Sequence, residues 1–440
     1  MTLSMRLIVL VDGEHHPAAV RSALEALRDG GDDVAGAVFC GGSEKVDRAK
    51  LDEAYGVGVV QATDPLEALL EAIDRWSPES ILDLTDEPIL SPDDRFRLAS
   101  HSLARGVSYR GADFAFTARA FKRIVTKPSI RVYATGKRTG KTAVASALAR
   151  HASTRGHSPI IVAVGRGGPN PPRVIEAGTR LDAALLLEWA AAGYHAGSDY
   201  VEDAMTSGVT TIGCLRVGGG LAGATVHSNV DEAARLAEER TEDLVILEGS
   251  GASFPDVQAN AGVCCVPASI SPDELTRYMG PYRLLLADLV VVTMAEEGPA
   301  AAAAEAAIHK TVPGLDVIHV AFRPEPLAGV SGRRAFFCCT APVEAGPVLR
   351  DHLEGVYGCD IVGMTHRLSD RTLLKRELEQ APPHDVVLTE LKAGAVDIPV
   401  REAIAQGKDV VFVNNVPVGT DMEAAFDRVL ELSSARLPEK

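Results

Sequence analysis

The chain has 440 residues, of which 46% are hydrophobic and 24% are charged, as is usual for a globular protein that buries a sizeable core. At this length roughly three domains are expected. The formal net charge of −16 argues against a nucleic-acid partner, because phosphate backbones are bound by clustered positive charge. A small anionic substrate stays open, since it needs only a few local cations and backbone N–H groups.

Export and membrane insertion are not expected. The segment 1–10 resembles a first strand and lacks the apolar core and the cleavage site of a signal peptide. The seven cysteines are an odd number without metal-like spacing, and the pairs Cys264-Cys265 and Cys338-Cys339 lie in apolar runs where buried thiols are expected. We therefore predict a cytoplasmic protein with no membrane partner.

Residues 1–126 are predicted to form an N-terminal α/β domain that binds substrate, joined to the next domain by a linker at 127–128. Each predicted strand ends at or just before a polar turn, and open α/β sheets bind ligands at the carboxyl ends of their strands. The predicted strands are Leu7–Val11, Val34–Phe39, Val57–Gln61 and Ser80–Leu84.

The first polar turn contains His15 and His16 beside Asp12 and Glu14. Adjacent residues rarely converge on one ion and no third ligand cluster is evident, so we expect the two histidines to contact an anionic substrate rather than a metal. The carboxylates at 83–87 (Asp83, Asp86 and Glu87) are equally compatible with strand-end capping and with holding a cation or orienting a substrate.

Residues 127–328 are predicted to form the middle domain, with glycine-rich connections at 165–172 and 218–223. Its boundary with the last domain is expected at Arg323-Pro-Glu-Pro326, because prolines interrupt regular structure. Besides the strand at 131–134, the predicted strands are Pro159–Val164, Thr210–Leu215, Leu244–Leu247, Gly262–Val266, Leu289–Thr293 and Val317–Phe322.

Residues 329–440 are predicted to form a C-terminal α/β domain. The predicted strands are Ala335–Cys339, Asp360–Met364, Asp385–Leu388 and Asp409–Asn414. The fold class is therefore α/β, a P-loop NTPase core with a mostly parallel sheet between two α/β domains.

The segment 131–146 carries the strongest functional signal. A strand, a glycine-containing loop and a helix follow one another, so that backbone N–H groups and the helix N-terminus face a phosphate, Lys141 adds a positive charge and the Thr142 hydroxyl can reach a magnesium ion. The usual first glycine is replaced by Thr135. An ordinary turn before a helix is the alternative. The predicted nucleotide-binding residues are Gly136, Lys137, Arg138, Thr139, Gly140, Lys141 and Thr142.

Two acids are candidates for the metal that accompanies a nucleotide. Glu248 follows four apolar residues and precedes Gly-Ser-Gly, which lets a phosphate or a metal approach; a loop acid at a strand end is the alternative. Asp199 begins a predicted helix, where simple capping explains it as well.

Two cations outside the loop could bind a substrate. Arg166 lies in a rigid Gly/Pro turn that suits a fixed anion, and Lys392 follows a strand of the C-terminal domain; a solvated surface role is the alternative for both. Arg216 precedes the second glycine-rich loop, for which a flexible lid and a ligand cradle both remain open. No Ser-His-Asp or Cys-His arrangement has supporting context, so we predict the chemistry of phosphoryl positioning.

The loop Gly140-Lys-Thr142 and the segment 244–251 resemble the dethiobiotin-synthetase-like branch of phosphate-loop proteins. In that branch a Glu-Gly-x-Gly strand end, a Ser-Asp helix start and the loop threonine share a magnesium ion. The resemblance implies these roles for Glu248, Asp199 and Thr142.

A second resemblance, to the cyclic 2,3-diphosphoglycerate synthetase family, covers nearly the whole chain. It implies ATP and Mg²⁺ as cofactors and closure of 2,3-diphosphoglycerate into a cyclic phosphoanhydride, with release of ADP and phosphate. The segments that carry it are 11–17, 83–88, 133–142, 164–169, 197–204, 247–252, 280–289 and 390–397.

The predicted catalytic residues are Lys141, Arg138 and Arg166, which would spread the charge on the phosphates. His15, His16 and Lys392 would complete the substrate pocket with Arg166. A P-loop ligase or kinase for another small acid, and a nucleotide-switch ATPase, are the alternatives; the sequence leaves the oligomeric state open, a homodimer included.

Overall fold

The computed structural model describes residues 4–296 and 298–436. The described residues divide into two compact units. Within the described residues, the N-terminal unit comprises 4–120, 271–286 and 306–314, and the large unit comprises 121–270, 287–296, 298–305 and 315–436. The segments 271–286 and 306–314, which we expected in the middle domain, thus belong to the N-terminal unit. The division into three domains stays a prediction.

The N-terminal unit contains a six-stranded sheet in the order β3-β2-β1-β4-β5-β6. Its strands are parallel except for β6, which runs antiparallel to β5. The strands are β1 Arg6–Val11, β2 Asp33–Phe39, β3 Val59–Gln61, β4 Ser80–Asp83, β5 Ser108–Arg110 and β6 Ala115–Phe116.

The large unit contains a thirteen-stranded sheet in the order β11-β10-β8-β12-β7-β13-β14-β15-β19-β18-β16-β17, with β9 paired to β10. Only the pairs β9–β10, β10–β11 and β15–β19 are antiparallel. The strands are β7 Ser129–Ala134, β8 Pro159–Gly165, β9 Arg173–Ile175, β10 Thr210–Val217, β11 His227–Ser228, β12 Leu244–Glu248, β13 Ala261–Pro267, β14 Leu289–Thr293, β15 Asp316–Pro326, β16 Arg334–Cys338, β17 Asp360–Thr365, β18 Val386–Glu390 and β19 Asp409–Val418.

Helices follow most of these strands, as expected for parallel sheets, whose crossover connections are usually helical. They are α1 Pro17–Asp29, α2 Leu51–Tyr55, α3 Pro65–Trp76, α4 Pro92–Ala104, α5 Lys141–Thr154, α6 Ala183–Ala191, α7 Asp199–Ser207, α8 Val230–Glu239, α9 Pro272–Thr276, α10 Gly280–Leu285, α11 Pro299–Thr311, α12 Gly346–Tyr357, α13 Arg371–Glu379, α14 Arg401–Ala405 and α15 Met422–Ala435. Val396–Val400 forms a π-helical turn. Within the described part of the chain, no helix has the length and apolar character needed to span a membrane.

The centre of the large sheet is apolar on both faces. The strands β7, β8, β12 and β14 are buried at every position, which explains the nearly continuous apolar runs of β8, β12 and β14. Against them lies α5, whose many alanines let the helix approach the sheet closely. This buried frame fixes the phosphate loop between β7 and α5.

The predicted fold class is confirmed, and each predicted strand is present with ends that shift by a few residues. Four short strands, β5, β6, β9 and β11, were not predicted. They have two or three residues each, too few for a periodic pattern to be visible.

The expectation that the prolines of Arg323-Pro-Glu-Pro326 interrupt regular structure was wrong, because β15 runs through these four residues; the domain boundary itself stays a prediction. The strand pairs with β14 over 316–320 and then, antiparallel, with β19 over 321–326. Leu327 donates its N–H to Phe412, so the alternate positions 324 and 326 direct their nitrogens away from β19. Proline is tolerated there because no ladder hydrogen bond is lost.

Candidate active site

Four neighbouring parallel strands bring charged residues to one edge of the large sheet. The strands β7, β12, β8 and β10 are adjacent and parallel, so their carboxyl ends share an edge. The phosphate loop follows β7, Glu248 ends β12, Arg166 follows β8 directly, and Arg216 is the penultimate residue of β10. This edge therefore collects an anion-binding loop, a carboxylate and two guanidinium groups.

The loop between β7 and α5 has a conformation that requires glycine at one position. Gly140 has φ 76° and caps α5, and a Cβ there would lie 2.2 Å from Cζ of Phe322. The Thr293 hydroxyl donates to the carbonyl oxygen of Thr139 at 2.8 Å, which fastens the loop to β14. The loop thus holds the N-terminus of α5, with its free N–H groups, at the carboxyl edge of the sheet, where such groups bind phosphate.

Lys141 and Thr142 both contact Glu248. The Thr142 hydroxyl donates to Oε1 of Glu248 at 2.8 Å, and Nζ of Lys141 lies 3.3 Å from the same oxygen. Glu248 is fully buried and Lys141 nearly so. Burial by itself would lower the pKa of Lys141, but the carboxylates of Glu248 and Asp199 outweigh it and raise this pKa, so the lysine remains a cation.

Asp199 is the first residue of α7, and Ser198 is the N-cap. The residue in the capping position is thus Ser198, and the alternative that Asp199 serves only as the helix cap does not apply. Burial, together with the nearby charge of Glu248, raises the pKa of Asp199, although Lys141 and Lys392 oppose the shift. Two carboxylates that repel one another in this way are the arrangement that a divalent cation would stabilise.

Two further acids of α7 complete a buried cluster that the sequence reading missed. Asp203 is fully buried, accepts a hydrogen bond from the Ser146 hydroxyl at 3.1 Å, and has a pKa raised well above its usual value by burial and by Glu248. Burial raises the pKa of Glu202 to about 7. Residues three and four apart share a helix face, so the spacing from Asp199 was the available signal.

Lys392 belongs to this cluster rather than to open surface. Its Nζ lies 3.0 Å from Oε1 of Glu202. Burial lowers the pKa of Lys392, but Glu202, Glu390 and Asp199 more than offset this and the net shift is upward. A Cβ on Gly197 would lie 3.2 Å from the carbonyl oxygen of Ala393, so the loop that carries the lysine packs closely against the start of α7.

Arg166 and Arg216 converge on Gly251. A Cβ built there would lie 2.4 Å from Nη2 of Arg166 and 3.3 Å from Nη2 of Arg216. Arg216 is 7% exposed and donates to the carbonyl oxygens of Gly218 and Ser250, both at 2.8 Å. Arg216 was noted from the sequence only as a neighbour of a glycine-rich loop, and nothing local indicated its pairing with Arg166.

The other predicted nucleotide-binding residues line the loop. Lys137 and Arg138 are exposed, and Arg138 has φ 60°. Thr139 is buried, and its hydroxyl has no hydrogen-bond partner among the described residues. At Gly136 a Cβ would meet no atom within 4 Å, so a side chain could be accommodated there.

The N-terminal unit holds the two predicted histidines in local contacts. Nδ1 of His15 lies 2.9 Å from Oδ1 of Asp12 and its Nε2 lies 3.3 Å from Oδ2 of Asp86. Nδ1 of His16 accepts the N–H of Ala18 at 3.2 Å and caps α1. Both rings thus have structural partners within this unit.

Asp12 and Asp83, in the same unit, are satisfied by its own donors. Asp12 is fully buried and accepts three backbone N–H groups at 3.0 Å, and although burial opposes it, these bonds and His15 lower the pKa of Asp12. Asp83 accepts from Thr85, Arg95 and Tyr109. Of the two uses left open for the carboxylates at 83–87, Asp83 therefore serves the local structure.

The predicted magnesium ligands provide oxygen atoms of the kind that this ion prefers. Thr142 and Glu248 are in contact, Asp199 lies within their electrostatic reach, and Oε2 of Glu248 is buried without a donor. Among residues 4–296 and 298–436, no group of three or more His, Cys, Asp and Glu side chains is arranged to hold a metal alone. The residues present thus fit an ion whose remaining ligands come from nucleotide and water.

Comparison with known proteins identifies the family. Models of the cyclic 2,3-diphosphoglycerate synthetase family match along the chain: the N-terminal domain at residues 6–117, the P-loop domain at 129–320 and the C-terminal domain at 326–416.

Curated relatives carry the same name. The chain is 44% identical to cyclic 2,3-diphosphoglycerate synthetase of Thermococcus onnurineus, over 98% of this chain and 99% of that protein. It is 41% identical to the protein of that name from Rubrobacter xylanophilus, over 97% of each chain, and 40% identical to that from Methanothermus fervidus, over 94% of each. The chain therefore belongs to the cyclic 2,3-diphosphoglycerate synthetase family.

Proposed function

We propose that the protein uses ATP to close 2,3-diphosphoglycerate into cyclic 2,3-diphosphoglycerate, releasing ADP and phosphate. The observation that carries this proposal is the junction of the phosphate loop with Glu248, where Lys141 and Thr142 meet one carboxylate oxygen beside a pair of guanidinium groups. Membership of the family, over nearly the full chain, supports the choice of substrate.

In this proposal the nucleotide phosphates bind the loop from Gly136 to Thr142. Backbone N–H groups at the start of α5 bind phosphate oxygens, and the cationic Lys141 neutralises charge that develops on the γ-phosphoryl group. Thr142, Glu248 and Asp199 would hold Mg²⁺ directly or through water. When bound, the ion supplies charge neutralisation and fixes the orientation of the phosphates.

The reaction requires two phosphoryl displacements. An oxygen of one substrate phosphate attacks the γ-phosphorus of ATP, the bond from that phosphorus to the β-phosphate oxygen breaks, and ADP leaves. An oxygen of the neighbouring substrate phosphate then attacks the activated phosphorus, closes the ring and expels the former γ-phosphoryl group as inorganic phosphate. Binding holds the two phosphates together, which makes the second step effectively unimolecular.

The cations near the loop offset the repulsion between the reacting anions. Arg138 and Lys141 spread the charge of the transferred group and Arg166 that of a substrate phosphate, because a guanidinium can bind two phosphate oxygens at once. Lys392 contributes through the acid cluster on α7, with which it is paired. For His15 and His16, which have partners in the N-terminal unit, contact with substrate stays a prediction.

The reducing cytoplasm suits this assignment. All seven cysteines are unpaired and buried, and disulfides are rare in that compartment.

ADP release with a panel of phosphorylated acids tests the proposal. We expect release, dependent on Mg²⁺ and abolished by a chelator, with 2,3-diphosphoglycerate. We expect none with 3-phosphoglycerate, which lacks the second phosphate needed for ring closure. Equal turnover of both acids, with a phosphorylated linear product, would favour a kinase; ATP turnover that no small acid stimulates would favour a nucleotide switch.

A further inference from the structure

We propose that Arg216 and Arg166 together form the binding site for one phosphoryl group of the substrate, with Gly251 as the glycine that leaves room for both guanidinium groups. This inference rests on the proposed function and adds a residue, Arg216, and a reason for the glycine.

The geometry places two cations around one small residue. The position of a Cβ on Gly251 lies 2.4 Å from Nη2 of Arg166 and 3.3 Å from Nη2 of Arg216, so any side chain there would displace a guanidinium. Gly251 has φ 58°, a conformation that also favours glycine. Both arginines thus face the same point beside the strand end that carries Glu248.

Neither guanidinium is neutralised by a carboxylate of the described residues. Arg216 is buried, its acceptors are two backbone carbonyl oxygens and the Ser250 hydroxyl, and its Nε has no partner among the described residues. Burial and the charge of Arg166 lower the pKa of Arg216, which is the sign of two cations held close together. By contrast Arg240, also in the large unit, pairs with Glu176 and Glu242. A dianion would relieve this repulsion and accept bidentate hydrogen bonds.

The order of the strands favours a substrate phosphate over the nucleotide as this dianion. Lys141 follows β7, whereas Arg166 follows β8 and Arg216 lies near the end of β10, two and three strands away across β12. At a strand spacing of about 4.8 Å this separates the backbones of β8 and β10 from that of β7 by roughly 10 to 14 Å, while the guanidinium groups themselves reach Gly251, beyond the end of β12. Asp199 influences the pKa of both Lys141 and Arg216, so the two anion sites remain neighbours, as transfer between their ligands requires.

Steady-state kinetics with four variants tests the inference. Arg216→Gln should raise the KM for 2,3-diphosphoglycerate by about 10- to 100-fold and leave the KM for ATP unchanged, because one charge-assisted contact is lost. Arg216→Lys keeps the charge but loses the planar fork and should show an intermediate effect. Gly251→Ala should raise the same KM without altering an arginine. Arg235→Gln, at an exposed position of α8, is the control and should behave as wild type.

The outcomes separate this inference from the proposed function. If the wild-type protein turns over 2,3-diphosphoglycerate and the KM for this substrate is unaltered in Arg216→Gln and Gly251→Ala, the inference is overturned and the proposed function stands. A rise in the KM for ATP alone assigns the guanidinium to the nucleotide and also overturns it. Absence of wild-type turnover refutes the proposed function, and the inference with it. If Arg216→Gln does not fold, Arg216→Lys and Gly251→Ala decide on the same criteria.

Discussion

Replacing Glu248 by glutamine should abolish most activity while leaving the protein folded. In the wild type the Thr142 hydroxyl donates a hydrogen bond to Glu248 at 2.8 Å, and the amide oxygen of glutamine can still accept this bond. The substitution removes, however, the negative charge that lies 3.3 Å from Nζ of Lys141. A metal-binding carboxylate contributes about 3 to 5 kcal/mol to the transition state, which corresponds to a loss of about 10²- to 10⁴-fold in kcat/KM.

The effect of this substitution on stability should be much smaller, because two changes oppose each other. The attraction between Glu248 and the buried Lys141 is lost, but the repulsion that Glu248 exerts on Asp199 and Asp203 is relieved. We expect a net change of about 1 to 2 kcal/mol, which is a shift of a few degrees in the thermal unfolding midpoint.

A matched control lies at the other end of the same strand. Glu242 precedes β12, is 7% exposed and pairs with Arg240 at 3.2 Å. Glu242→Gln should therefore lower stability by a similar amount and leave kcat/KM unchanged. Activity of Glu248→Gln close to wild type at saturating Mg²⁺, or equal losses of activity in both variants, would refute the metal-binding role of Glu248.

Three further predictions follow from the same contacts. Lys141→Ala should reduce kcat by about 10³-fold or more with circular dichroism unchanged, because the proposed mechanism uses this cation to neutralise charge on the γ-phosphoryl group; normal turnover would exclude the phosphate-loop mechanism. Gly140→Ala should weaken ATP binding, measured by calorimetry, because the new Cβ would lie 2.2 Å from Phe322. Adding Phe322→Ala to this variant should partly restore the affinity. Unaltered ATP affinity in Gly140→Ala would contradict the prediction. Glu202 has a folded pKa raised to about 7, so the folded state retains its proton and stability falls as pH rises from about 4.5 to about 7. The urea midpoint of Glu202→Gln should therefore rise relative to that of the wild type as the pH increases across this window. Urea midpoints of the two proteins that change in parallel with pH would contradict the raised pKa of Glu202.

The sequence identified those parts of the fold whose signals are local. Continuous apolar runs such as β12 predict buried parallel strands, and the order of strand, loop and helix around Lys141 predicts a phosphate loop. The structure brings Lys141 and Thr142 to Glu248 as the motif order led us to expect.

Features that depend on which elements become neighbours could not be predicted. The pairing of Arg216 with Arg166 requires β10 to lie beside β8, and the strand through Pro324 and Pro326 requires an open edge at those positions. The raised pKa of Asp203 could not be predicted either: its spacing from Asp199 indicates a shared helix face, but the shift results from burial and from Glu248 on another element. Tertiary context decided each of these features.

An isotope experiment tests the central claim of ATP-driven ring closure most directly. The protein is incubated with ATP, Mg²⁺ and 2,3-diphosphoglycerate whose phosphate oxygens carry ¹⁸O, and the products are followed by phosphorus NMR. If a substrate phosphate attacks the γ-phosphorus and the former γ-phosphoryl group then leaves, the released phosphate carries one ¹⁸O from the substrate and appears together with the cyclic product. Released phosphate whose new oxygen comes from water, with 2,3-diphosphoglycerate left unchanged, would contradict the account.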